Sequence, residues 1–120
     1  MEARKYIKRI SLSLIEFIES QPKESRPACF QNFPNGSCVD YSLILHTCLV
    51  SAGISSEVVE ASGKEEEGDK CFSHSWVLAD GLIVDGTINQ FPGNHPKLLI
   101  AEKSKWHDSL NFDAARAYTI

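Results

Sequence analysis

At the start of the chain apolar residues recur at helical spacing: Ile7, Ile10, Leu14, Phe17 and Ile18, with Lys8, Ser11, Ser13, Glu16 and Glu19 between them. A stripe of this kind predicts an amphipathic helix over residues 3–20 with one buried face. Gln21-Pro22 ends it, and Pro22, Pro27, Pro34 and Gly36 mark residues 21–37 as an ordered loop. From Cys38 to Ala52 the pattern turns helical and almost uniformly apolar, which predicts a helix buried nearly all round. Ser37 stands where an N-cap hydroxyl accepts from a first-turn N–H, Asp40 suits the positive end of the dipole, and Gly53 supplies a left-handed stop.

Beyond the second helix the period changes. Glu57 to Ala61 reads as a short strand, and Ser62 to Lys70, carrying Glu65, Glu66, Glu67 and Asp69, as a solvated loop. Ser73 to Ala79 and Leu82 to Gly86 flank Asp80-Gly81, a dipeptide whose conformational tolerance suits a two-residue hairpin turn. Leu98 to Ala101 fits a strand or a helical turn equally well, and Phe112 to Tyr118 reads as a short terminal helix. The fold class expected is α+β, a single domain over residues 1–120 with a buried helix packed on a small antiparallel sheet.

The hairpin has chemical consequences. With Asp80 and Gly81 as the loop, Ala79 opposes Leu82, Val77 opposes Val84 and Trp76 opposes Asp85. Opposed residues share a face and successive residues alternate, so His74, Trp76 and Leu78 lie on the same side as Ile83, Asp85 and Thr87. His74 and Asp85 become diagonal neighbours, a spacing of about 7–8 Å that their side chains can close. Trp76, Leu78 and Ile83 make that face the one expected to pack on the buried helix, which Cys38 begins.

A thiol, an imidazole and a carboxylate brought together in this order suit acyl transfer. The helix start and a neighbouring imidazolium favour the nucleophilic form of a cysteine, and an aspartate on the far ring N–H fixes the imidazole tautomer. Cys38 is the candidate nucleophile, His74 the base and Asp85 the orienting acid. The backbone N–H of Cys38 is a candidate oxyanion donor, with Gln31 as a second and Asn32 and Asn35 as alternatives for that role.

Gly36-Ser37-Cys38, Ser73-His74-Ser75-Trp76 and Asp85-Gly86-Thr87, running on to Gln90-Phe91, resemble the transglutaminase-like group of papain-like cysteine enzymes, including small bacterial members. The resemblance covers roughly residues 30–92, and the order of three motifs makes it more specific than any one of them. Ser75 stands where the group commonly has alanine. The resemblance implies a papain-like fold and a Cys38-His74-Asp85 triad working through a thioester, as in a thiol protease or a deamidase. It leaves little room for the extra domains and calcium sites of large transglutaminases, so hydrolysis is expected ahead of amine transfer. A toxin- or effector-like role fits the size by analogy alone. A non-catalytic binding module retaining the fold is the alternative.

Composition narrows the field further. A net charge of −4 argues against nucleic acid as a partner; the resemblance implies a protein or peptide as the substrate class, and oligomeric state is not legible. The start, Met1-Glu2-Ala3-Arg4-Lys5, does not resemble a secretory leader, and no apolar run is of membrane-spanning length. Four cysteines without such a leader suggest a reducing compartment, hence the cytoplasm, with export by a signal-less route left open. No cofactor and no metal are expected. Cys71-Phe72-Ser73-His74 has the spacing of half a zinc site, with Cys29 or Cys38 as partners, but a second paired motif is missing. Cys48 is expected in the core; His46, His95 and His107 are expected to be surface or structural; Trp76 is expected to serve as core packing. The loop Glu65 to Asp69 reads as solvated surface, or as a flap over the site.

Overall fold

Burial on the first helix follows Ile7, Ser11, Ile15 and Ile18, a run of i, i+4 and i+3 steps that puts them on one line along α1 (Glu2–Ser20). The computed structural model describes residues 2–64 and 71–118. Phe17, expected inside, is 65% exposed; Ile15 takes its place, because the stripe runs one residue away from the spacing that Phe17 suggested. Ser11 is tolerated in the stripe partly because its carbonyl accepts the hydroxyl of Tyr41 at 2.9 Å.

After 3-10 turns at Lys23–Ser25 and Ala28–Phe30 comes α2 (Cys38–Ser51). It buries Tyr41, Ser42, Leu45, His46 and Leu49 against α1 and the sheet. The expectation of burial all round fails: Val39, Ile44 and Val50 are exposed, and so is Cys48, which is not in the core. The helix lies on the flank of the molecule, so only one of its apolar faces meets a partner. Its end is as expected. Gly53 has φ +82°, and the N–H groups of Gly53 and Ile54 close on the carbonyls of Val50 and Leu49, a Schellman ending.

The sheet comprises β1 (Ser56–Lys64), β2 (Cys71–Ala79), β3 (Leu82–Asp85), β4 (Leu99–Ala101) and β5 (Asn111–Tyr118). Their order is β4-β3-β2-β1-β5, with every neighbouring pair antiparallel. The architecture is therefore α+β, as expected. Asp80 and Gly81 both have positive φ, +51° and +77°, and the register Ala79 to Leu82, Leu78 to Ile83 and Val77 to Val84 is the one the turn dictates. Leu98 to Ala101 resolves as strand β4, paired with β3. The terminal helix expected over Phe112 to Tyr118 is instead β5, because it lies against the free edge of β1 and completes its hydrogen bonding. The acidic loop Glu65 to Asp69 lies outside the described residues.

Both faces of the sheet are covered. Val58, Val77, Ala79, Leu82 and Val84 pack with α1 and α2. Val59, Ala61, Trp76 and Ile83 face the other way, against Leu110, Phe72, Leu99 and Trp106. This corrects one expectation: the face of Trp76, Leu78 and Ile83, which also carries His74 and Asp85, is turned away from α2. Strand parity predicts which residues share a side, and it says nothing about which layer covers it.

The first turn of α2 nevertheless reaches those residues, and Gly86 shows how. A methyl group there would stand 2.5 Å from the Tyr41 ring, so the aromatic ring lies directly on the backbone that follows Asp85. Tyr41 is one helical turn beyond Cys38. The same contact therefore ties the start of α2 to the end of β3. Gly86→Ala should destabilise the fold by about 1–3 kcal/mol, because the Tyr41 ring is buried and its hydroxyl is already bonded. Chemical denaturation checks this; a variant within 0.5 kcal/mol of wild type would show that Tyr41 can move aside.

Candidate active site

The paired part of β3 stops opposite Val77, and β2 continues to Cys71 with β1 on its other side. His74 therefore sits where the sheet is open along one edge, beside the turn that carries Asp85 into Thr87. This gap lets a residue from the α2 layer approach side chains on the opposite face.

Asp85 and His74 are as close as their register allows. His74 Nε2–H donates to Asp85 Oδ2 at 2.6 Å, with both residues buried (0% and 1% exposed). Oδ1 of Asp85 accepts from the Thr87 N–H at 3.0 Å, and the Thr87 hydroxyl stands 3.4 Å away. Phe91, Trp76 and Trp106 surround the imidazole at ring-centroid distances of 4.8, 5.8 and 5.5 Å.

The remaining ring nitrogen of His74, Nδ1, is buried and without a seated hydrogen bond. Cys38 is near enough to favour the charged ring, both as a hydrogen-bonding side chain and through its charge. With Nε2 committed to Asp85, Nδ1 is the atom available to the thiol. Cys38 itself is half-buried at the first position of α2. The structure thus gathers Cys38, His74 and Asp85 at one place.

Ser37 does something other than capping. Its hydroxyl donates to the Cys29 carbonyl at 2.7 Å and makes no bond to the helix N–H groups. That correction matters chemically, because it leaves the N–H groups of the first turn around Cys38 without a side-chain acceptor from Ser37. Gln31 is exposed and lines a shallow recess with Lys23, Arg26, Asn32, Phe33 and Asn35. Cys71 and His74 are three residues apart on one strand, so their side chains leave opposite faces, and that pair cannot close on one ion.

One participant is illegible in the sequence. His107, read as surface or structural with no partner, is fully buried, and its Nε2–H donates to the same Asp85 Oδ2 at 2.7 Å. It belongs to α3 (Lys105–Asp108), which follows β4. Leu99 of β4 pairs with Asp85, so the chain returns beside the carboxylate and then folds over it. The only local signal was Ser104, whose hydroxyl caps α3 by accepting from the His107 N–H at 3.3 Å. The other histidines lie elsewhere: His46 is buried and bonded to Ser56 at 2.9 Å, and His95 donates to the Pro92 carbonyl at 3.1 Å.

His74, Asp85 and His107 present ligand atoms that all lie within 4.8 Å of one another, a set that raises the question of a metal. The contacts at 2.6 and 2.7 Å answer it in favour of hydrogen bonds. Ligands of a tetrahedral zinc, each about 2.0–2.2 Å from the ion, stand more than 3 Å apart.

The charges follow from these contacts. Burial works against a charged His74 and is the largest single influence. The hydrogen bond to Asp85 and its charge, with the neighbouring Cys38, outweigh it and raise the ring to about 9. Burial likewise opposes the Asp85 anion, but donation from His107 and His74 brings it down to about 2. Tyr41 is pushed upward, first by burial and then by the Asp85 charge, so it stays neutral beside the site.

Compared with protein families, curated proteins and solved structures, the chain matches none, so its functional reading rests on this geometry. Among the described residues no helix is long and apolar enough to cross a membrane.

The pair has a pH signature. The raised His74 stabilises the fold fully below its unfolded value of about 6.5, and that contribution is lost as pH rises through about 9. The lowered Asp85 stabilises above about 3.8, and that contribution is lost as pH falls through about 2. The stability difference between wild type and Asp85→Asn should therefore be largest between roughly pH 4 and 6.5 and shrink on both sides. Denaturation at pH 2.5, 5 and 9 measures it; a difference constant from pH 5 to 9 would mean that His74 carries no charge from Asp85.

Proposed function

We propose that this protein is a cysteine-dependent acyl-transfer enzyme acting on an amide carbonyl of a protein or peptide, through Cys38, His74 and Asp85. The observation that carries the reading is the division of labour on His74. One ring nitrogen is bonded to a buried carboxylate, and a half-buried cysteine at a helix start is near enough to favour the charged ring. A thiol placed only for packing needs neither neighbour.

In this reading the thiol proton of Cys38 already rests on His74 Nδ1, and Sγ attacks the carbonyl carbon as the thiolate of that ion pair. The carbonyl electron pair moves to oxygen, where first-turn N–H groups of α2 left uncapped by Ser37, including that of Cys38, stabilise the anion. Gln31 remains the candidate for a second donor, with Asn32 and Asn35 as alternatives. Collapse expels the amine, which leaves with the proton held on His74. Water, deprotonated by the same ring, then opens the thioester and restores the thiol. Asp85 keeps Nε2 protonated throughout, so that Nδ1 is always the exchanging atom.

The papain-like assignment of the core belongs to this proposal. A helix led by cysteine, beside an antiparallel sheet carrying the histidine and aspartate, supports it. Within this reading hydrolysis, as a glutamine deamidase or peptidase, is proposed ahead of amine transfer. The complete burial of His74 favours the second reading, a binding module without turnover.

Labelling separates the two. Cys48 and Cys71 are exposed while Cys29 and Cys38 are half-buried, so exposure alone predicts that Cys38 reacts more slowly than Cys48 and Cys71. An activated Cys38 should instead react with iodoacetamide at pH 6 about tenfold faster than Cys29, Cys48 or Cys71. Labelling in order of exposure would favour the binding module. With candidate substrates, mass spectrometry of wild type against Cys38→Ala then distinguishes deamidation, cleavage and amine addition.

A further inference from the structure

Asp85 is the meeting point of two imidazoles. Its Oδ2 accepts from His74 at 2.6 Å and from His107 at 2.7 Å, and Oδ1 faces Thr87. Because one oxygen receives both, each ring carries its proton on Nε2. Nδ1 of His107 stands at hydrogen-bonding distance, 2.6 Å, from the Ser104 hydroxyl. Its ring is held edge-on to Trp76 and Trp106, with centroids 4.7 and 4.9 Å away. Both nitrogens and both sides of His107 are thus fixed.

We propose that His107 is a positioning residue for the proposed Cys38-His74-Asp85 unit: anchored by Ser104, its imidazole supplies the second hydrogen bond that keeps buried Asp85 ionised and aimed at His74. The inference rests on the acyl-transfer reading and extends it. A buried carboxylate with one donor on Oδ2 can rotate towards Thr87 or take up a proton, and either change releases His74 to the opposite tautomer. A second donor on the same oxygen stabilises the anion and holds it in place. Donation from both His107 and His74 works against burial to hold Asp85 charged. The charged or titratable groups facing Asp85 are His74 from β2, His107 from α3 and Tyr41 from α2, with Cys38 reached through His74.

Nitrogen-15 NMR of the histidine rings in the full chain tests this. In wild type, His107 should carry its proton on Nε2, bonded to Asp85; a ring protonated on Nδ1 alone, donating to Ser104, would overturn the proposal. In His107→Gln the titration midpoint of His74 should fall by about one pH unit, a tenfold smaller charged-to-neutral ratio at a given pH. Ser104→Ala, which keeps the ring but frees Nδ1, should move it in the same direction by less. A folded His107→Gln protein with an unmoved His74 midpoint would make His107 structural only. Should His107→Gln fail to fold, the wild-type tautomer and Ser104→Ala decide. Cys38 labelling in His74→Ala separates this proposal from the underlying one. Labelling that ignores the loss of His74 sinks the triad, whereas labelling that slows leaves the triad standing whatever His107 does.

Discussion

One buried carboxylate organises this molecule. Asp85 is sealed from water at the end of β3, where an unpaired charge would be strongly destabilising. It is offset by four possible donors: two imidazole N–H groups, a backbone N–H and a hydroxyl. Those donors come from β2, from the turn after β3 and from α3. Ionising Asp85 therefore fixes three parts of the chain relative to one another, and an orienting bond to His74 is what remains available for chemistry. Structure and proposed activity draw on the same charge.

The second constraint is the closeness of α2 to the β3 turn. Side chains on opposite faces of a sheet do not ordinarily meet, and His74 and Asp85 face away from α2. The short β3 strand leaves β2 unpaired beside His74, and Gly86 admits the Tyr41 ring against its backbone. Cys38, at the head of α2, comes near enough to His74 to favour its charged form. A longer β3, or a side chain at residue 86, would close this approach.

Much of this was legible because it is local. Asp80-Gly81 sets the hairpin register, and the register alone makes His74 and Asp85 diagonal neighbours. The Gly53 ending of α2 and the stripe of α1 are likewise short-range. The failures are long-range or competitive. An apolar helix does not announce that one side lacks a partner, so Val39, Ile44, Val50 and Cys48 were misplaced. Strand alternation could not tell which layer covers the His74 face. Residues 112–118 carry no period that outweighs the pull of an open β1 edge. Ser37 had a nearer acceptor in the Cys29 carbonyl than a capping rule considers. His107 reaches Asp85 across 22 residues of chain, by way of a three-residue strand, and no local spacing encodes that.

The central claim is that thiol, imidazole and carboxylate behave as one unit, and Asp85 provides its most direct test because it bonds to the rings and to Thr87, and reaches the sulfur through His74. The rate of Cys38 alkylation at pH 6 should fall about tenfold in a folded Asp85→Asn protein, since the imidazolium beside the thiol loses its counter-charge. An unchanged rate in that folded variant would mean that the carboxylate organises the fold alone and that Cys38 is chemically separate from it.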